Sequence, residues 1–417
     1  MCFVVVYLVI SILLILLFQN AQPSDCFQYQ RRATEVAQLK GLYPHSHNLY
    51  DTPHIWPSLY INVLGILYLV FGSEVIIGKC LNVLLTFTQF VLLEKIILLF
   101  LKKRDILFGF YILFFLYPNI YFMNLLITAE PLFITFLLCC LFLFLKTMFT
   151  DTKSAVNFTA VGLCIAMAIL TKPVALLIPV CMLLFFIYRR TPVTLILVFC
   201  LSLCCTLLLY GMNTKTKLGK FNAWGTTGGY NLFLANNPYS TGRYNSKSTE
   251  YVDSFTLEGT NVFERNRIYT TRALEYISAH PFKTIKNTGK KILFLFAYDG
   301  KQIETAFYKG TQISRFSIGE ILAKLTIGPV SWMICINQMV YFALLLFILL
   351  GIYQLIRQKR FHVLTYLLAF PLSVLLVTLL ALASTRFHYP IIIMCFPLTA
   401  FGFCIATDRK RFKHGKS

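Results

Sequence analysis

Apolar residues in this chain come in long unbroken blocks rather than in alternation or at amphipathic spacing. Met1–Phe18, Cys80–Leu101, Ile106–Leu126, Pro131–Leu145, Ala155–Leu170, Val174–Tyr188, Val193–Tyr210, Trp332–Ile356, Phe361–Ala383 and Pro390–Thr407 are the main blocks. Most approach the ~20 residues that carry a helix across about 30 Å of hydrocarbon, so the pattern predicts an all-α polytopic membrane protein with about ten transmembrane helices. Trp56–Gly72 is also apolar, but it is short and is closed by Gly72-Ser73-Glu74. Counting it as a span would invert every later loop against the distribution of basic residues, so an interfacial or re-entrant helix is expected there.

Two polar stretches interrupt the blocks, Gln19 to Gly78 and Gly211 to Pro329, which divides the chain into regions 1–210, 211–329 and 330–417. The second stretch opens Gly- and Asn-rich, from Trp224 to Tyr244, a composition that demands tight turns. A helix is expected over Val262–Ala279, stopped by His280-Pro281. Another is expected over Phe282–Tyr298, where Lys283, Lys286, Lys290 and Lys291 line one side of an apolar run. A basic amphipathic helix of that kind suits a membrane surface.

Composition agrees with this pattern. The chain is 57% hydrophobic and 13% charged, too few charges for a soluble globular protein. The first block has no basic n-region and no small-residue cleavage site before Asp25, so a retained anchor is expected rather than a signal peptide. A formal charge of +21 would suggest nucleic acid in a soluble protein. Here the cations gather in short connections: Lys102-Lys103-Arg104, Lys146 and Lys153, Arg189-Arg190, Arg357 to Arg360, and the tail from Arg409 to Lys416. That is the positive-inside pattern, which puts most of the acids on the outer face and gives no role to nucleic acid. Cys26 is the cysteine of the aqueous loops and has no partner there for a disulfide.

Asp25 lies a few residues past the first block, where a reaction on a membrane-bound substrate would need a base. It could equally cap the short helix that follows it. Glu130 lies between two apolar blocks, directly before Pro131. An ionisable group there is expensive unless it is paired or hydrated, although an acid before Pro also suits a helix N-terminus. His45, His47 and His54 share the first loop, but their spacing matches no tight ligand set.

Several short patterns, in order along the chain, resemble the GT-C superfamily of membrane glycosyltransferases, in particular protein O-mannosyltransferases and the lipid A aminoarabinose transferase. They are Asp25 with Tyr29 and Ala33, Pro53-His54-Ile55-Trp56-Pro57, Val70-Phe71-Gly72, Tyr117-Pro118, and Thr128-Ala129-Glu130-Pro131. Thr171-Lys172-Pro173, Asn236-Asn237-Pro238 and Arg386-Phe387-His388-Tyr389-Pro390 complete the series. Cys26 stands where family members often carry a second acid, and Lys79 where Arg is common. The resemblance implies a GT-C type fold and transfer of a sugar from a polyprenyl-phosphate donor to a lipid-linked or surface acceptor, with inversion at the anomeric carbon.

On that reading Asp25 is the base and Glu130 binds the acceptor. Arg386, Lys172 and Arg243 are the candidates for the donor phosphate, and Tyr29, His54 and His388 for substrate. Asp25 and Glu130 are the acids that could hold a divalent metal. The site is expected on the extracytoplasmic face; the short cytoplasmic connections and lack of a soluble appendage suit a bacterial inner membrane, and in an endoplasmic reticulum the same face would be lumenal. The alternative from another class is a lipid-linked sugar flippase or transporter, which discontinuous helices would favour.

Overall fold

The computed structural model describes residues 2–18, 22, 25–100, 104–149, 154–242, 244–255, 259–307, 329–382 and 384–407, whose regular elements are all helices with no strand among them. The first region holds α1 (Cys2–Leu17), α2 (Asp25–Leu39), α3 (Leu59–Phe71), α4 (Val75–Phe100), α5 (Arg104–Leu116), α6 (Asn119–Asn124) and α7 (Glu130–Phe149). It continues with α8 (Ala155–Thr171), α9 (Ile178–Tyr188) and α10 (Val193–Leu218). The second region holds α11 (Thr227–Ala235), α12 (Ser246–Asp253), α13 (Val262–Ala279), α14 (Pro281–Phe296) and α15 (Lys301–Phe307). The last holds α16 (Pro329–Arg357), α17 (Phe361–Leu380), α18 (Tyr389–Met394) and α19 (Phe396–Thr407). Five of these, α4, α7, α10, α16 and α17, are long and apolar enough to cross a membrane. The chain is therefore an all-α polytopic membrane protein.

Of the other blocks expected as spans, Met1–Phe18, Ala155–Leu170 and Val174–Tyr188 form apolar helices shorter than 18 residues, and two more are broken. Pro390–Thr407 falls within a helix pair, Thr385–Met394 and Phe396–Thr407, bent by 68°. Ile106–Leu126 was expected as one span, but it divides at Tyr117-Pro118 into α5 and α6, because proline lacks the N–H for the helical ladder and crowds the preceding residue. The break leaves an irregular stretch from Leu125 to Ala129 packed inside the bundle. Buried irregular backbone needs partners from protein, and α4 supplies one within the stretch and others at its two flanks. Asn82 donates to Leu126 O at 2.7 Å, Thr86 to Asn124 Oδ1 at 2.7 Å, and Gln89 to Pro131 O at 2.8 Å. Gln22 completes the set, accepting from Ile127 N at 2.8 Å and donating to Leu125 O at 3.2 Å. With Lys79, the α4 residues form a stripe at helical spacing on an otherwise apolar span.

The ends of the bundle differ in chemistry. At one end Arg189 donates to Met148 O and Arg360 to Phe100 O, which gathers the C-termini of α4, α7 and α9 beside the α16–α17 turn. Lys102, Lys103, Lys153 and the basic tail lie outside the described residues. At the other end the two long loops meet. Ile55 N donates to Thr226 Oγ1 and Thr226 N to Ile55 O, each at 2.8 Å. Gly225 makes this closure possible: its φ is +85°, and a Cβ there would stand 2.6 Å from Ile55 O. The helix expected over Val262–Ala279 is α13, and the basic one is α14, on which Phe282, Ile285 and Leu293 are exposed beside Lys283, Lys286 and Lys290, whereas Lys291, expected on the same face, is buried and donates to Leu379 O at 2.9 Å.

Candidate active site

Asp25 begins α2 and Glu130 begins α7, so each carboxylate sits where the positive end of a helix dipole stabilises it. Lys172 follows the last residue of α8, at the negative end of that helix, in an extended conformation (φ −150°, ψ 120°) of the kind residues before proline prefer. Arg386 comes from the short 3₁₀ turn Thr385–His388 that leads into Tyr389-Pro390. Four residues from four distant parts of the sequence thus occupy helix ends.

They form one ion cluster. Arg386 Nη2 donates to Asp25 Oδ2 at 2.8 Å, and Arg386 Nε lies 2.9 Å from Glu130 Oε1. The latter contact is charge pairing without hydrogen-bond alignment, and Nε is otherwise buried without a hydrogen-bond partner. Lys172 Nζ reaches the same Glu130 oxygen at 2.8 Å. Both cations also lie against the Phe387 ring, at 5.4 Å for Lys172 and 5.7 Å for Arg386. The Glu130 side chain is 1% exposed and that of Asp25 38%, so Asp25 is the carboxylate open to an incoming molecule. Next to it Cys26 is buried, which pushes its thiol up to about 12.

Packing of α2 on α3 holds Asp25 in register. A Cβ on Gly65 would fall 2.5 Å from Val36 and 3.0 Å from Ala33 O, so only glycine lets the two helices approach this closely. Tyr29, one turn beyond Asp25, is buried edge-on against Trp56 and Tyr60, with ring centroids 5.1 and 5.4 Å away. His54 packs on Trp56 and Tyr230, and burial holds it down to about 4, with Arg32 acting in the same direction.

Asp25, Glu130, Lys172 and Arg386 were each singled out in the sequence, and the fold brings all four together. Tyr29 and His54 stand beside them in an aromatic layer. His388 does not join the cluster: it is fully buried, with Nε2 2.6 Å from Asp299 Oδ1. Arg243 lies outside the described residues. A metal held by Asp25 and Glu130 does not fit the donor set, because a guanidinium occupies the space between the two carboxylates. Among the described residues no group of three or more His, Cys, Asp or Glu is arranged to hold an ion.

Sequence reasoning missed Asp299 and the polar stripe of α4. The stripe could have been found as Lys79, Asn82, Thr86 and Gln89, polar residues at helical spacing within an apolar span. Asp299 stands alone between Tyr298 and Gly300 and carries no comparable signal.

No protein-family model matches the chain, and no curated protein matches it. Among solved structures it is similar to ArnT from Cupriavidus metallidurans, whose structure is bound to undecaprenyl phosphate. The TM-score is 0.43 and the identity 13%, over 97% of this chain and 77% of that one.

Proposed function

We propose that this protein is an integral membrane glycosyltransferase that moves a sugar from a polyprenyl-phosphate donor to a lipid, glycan or protein acceptor. The observation that carries the reading is the convergence of Asp25, Glu130, Lys172 and Arg386 into one ion cluster at the end of the bundle where the two long loops meet. Two carboxylates compensating two cations, with one carboxylate open, suit a reaction that consumes a proton acceptor on one side and releases a phosphate on the other.

The donor phosphate competes with Asp25 for Arg386, whose planar fork suits phosphate oxygens, while Lys172 adds a point charge. Asp25, released from the guanidinium, takes the proton of the acceptor hydroxyl as its oxygen bonds to the anomeric carbon. The bond from that carbon to the phosphate oxygen breaks, and its electron pair leaves with the polyprenyl phosphate. The cations stabilise that growing charge, an interaction stronger in the transition state than in the ground state. Glu130 keeps Lys172 and Arg386 together and contributes to the acceptor side. The distribution of basic residues supports a site on the extracytoplasmic face, and the short connections suit a bacterial inner membrane.

The divided helices at Tyr117-Pro118 and Met394–Phe396 favour a second reading, a carrier that moves a lipid-linked sugar between leaflets without cleaving it. Purified protein in liposomes, given a polyprenyl-phosphate sugar labelled in the sugar, separates the two. Label appearing on an acceptor, and lost in Arg386→Ala, supports transfer. Label that changes leaflet and stays on the lipid for every acceptor tried establishes the carrier.

A further inference from the structure

A second buried polar network lies next to the ion cluster and centres on Asp299, between α14 and α15. Its carboxylate accepts from Tyr117 Oη at 2.7 Å and from Asn337 Nδ2 at 3.1 Å, and faces His388 Nε2 at 2.6 Å. Its backbone carbonyl accepts from Asn119 at 2.5 Å and Asn337 at 2.8 Å, and its N–H donates to Gln338 Oε1 at 3.0 Å. Asp299 and His388 are both fully buried, and Tyr341 packs on the His388 ring at 5.0 Å. The network therefore ties together the α5–α6 break, the end of the second loop, α16 and the 3₁₀ turn that carries Arg386.

Such a site is costly to bury and serves no step of the transfer reaction. A carboxylate taken from water costs several kcal/mol before its partners offset it, and an apolar residue would have packed the same volume. What the network holds is the turn. Arg386 and His388 are two residues apart on a 3₁₀ turn of about three residues per repeat, so their side chains leave it roughly 120° apart. One reaches the carboxylates of the ion cluster and the other reaches Asp299.

We propose that Asp299, acting through His388, is a positioning residue that fixes the Thr385–His388 turn so that the Arg386 guanidinium spans Asp25 and Glu130. The proposal rests on the transferase reading for its effect on rate, but its structural part stands apart from that reading. Losing the anchor lets the guanidinium wander, and displacements near 1 Å at a reacting centre can cost on the order of 10²-fold in rate.

The test compares Asp299→Asn in the wild-type and Arg386→Lys backgrounds in full-length protein. Alone, Asp299→Asn is expected to lower kcat by roughly 10²-fold with little change in donor KM. In the Arg386→Lys background it is expected to change kcat by no more than a few-fold, because the fork it positions is already gone. Losses that multiply in full in the two backgrounds would show that Asp299 merely stabilises the fold, and the proposal would fall. Tyr117→Phe, which removes a single hydroxyl, repeats the comparison if Asp299→Asn does not fold.

A readout that needs no activity is alkylation of Cys26, followed by peptide mass spectrometry. The thiol is buried beside Arg386 and is expected to be protected in the wild type and to react in Arg386→Ala, Asp299→Asn and Tyr117→Phe. Protection that persists in the Asp299 and Tyr117 variants overturns the proposal. If the wild type transfers no sugar to any acceptor, the transferase reading fails, and the labelling alone decides the positioning role.

Discussion

Glu130→Gln is the most informative single change, because it keeps the shape of the side chain and removes one charge from a balanced group of four. Lys172 Nζ and Arg386 Nε touch the same Glu130 oxygen at 2.8 and 2.9 Å, so the two nitrogens lie within about 6 Å of each other. With the carboxylate neutral they face each other across that gap, and Asp25 compensates only Arg386. At an effective dielectric of about 20, two unit charges 6 Å apart repel by roughly 3 kcal/mol. This matches the low end of the ~3–5 kcal/mol that follows removal of one partner from a buried pair. In a chain of this size a loss of that order lowers the unfolding midpoint by on the order of 5 °C.

The assay is thermal unfolding of detergent-solubilised protein, followed by tryptophan fluorescence, for wild type, Glu130→Gln, Lys172→Met and the double variant. The repulsion argument expects the double variant to be more stable than Glu130→Gln alone, since removing Lys172 leaves one cation with Asp25. An unchanged midpoint in Glu130→Gln, or a double variant that simply adds the two single losses, would refute it.

Asp25→Asn is expected to keep expression and unfolding midpoint near wild type while sugar transfer, measured with purified enzyme, falls by about 10²-fold. Gly65→Val is expected to force α2 off α3, reducing both stability and transfer, because its Cβ would meet Val36 at 2.5 Å; the variant's midpoint and rate check this directly. His54 has its folded value at about 4, below the ordinary 6.5, so between those values the unfolded chain binds the extra proton. Stability supplied by neutral His54 is present above pH 6.5 and is lost as the pH falls towards 4, and a denaturant midpoint series in His54→Gln should show a shallower acid limb than wild type. Thiol-labelling sites introduced at Ser46 and Asn245 are expected to report one face of the membrane and a site at Lys359 the other; finding Ser46 and Lys359 on the same side would end the topology.

Much of the helical content was legible because long apolar blocks leave the backbone little choice in a membrane. Val262–Ala279 could be bounded to the residue, since Asn261 and Glu264 form a capping box at one end and His280-Pro281 stops the other. Where the expectations failed, tertiary partners override local pattern: Ile106–Leu126 is apolar enough to span, yet it divides at Pro118 because α4 and Gln22 satisfy the backbone that the break exposes. At the site, Asp25, Glu130, Lys172 and Arg386 were legible as charges in a chain that has few, each beside a proline or a helix start. Their mutual pairing was not, since it depends on contacts up to 361 residues apart in sequence. His388 could be picked out but not placed, because its partner Asp299 carries no pattern of its own.

The polar stripe of α4 bears on how the chain enters a membrane. Asn82, Thr86 and Gln89 are answered almost entirely by the segment from Asn124 to Thr135, which is synthesised only after α4 is complete. Until that segment arrives, α4 carries into lipid a row of amides and a hydroxyl without their final partners, each a penalty that its neighbouring leucines must outweigh. The helix is therefore expected to partition into the bilayer less readily alone than when α6 and α7 follow it, which places the decisive step of biogenesis at the emergence of the turn that bears Glu130.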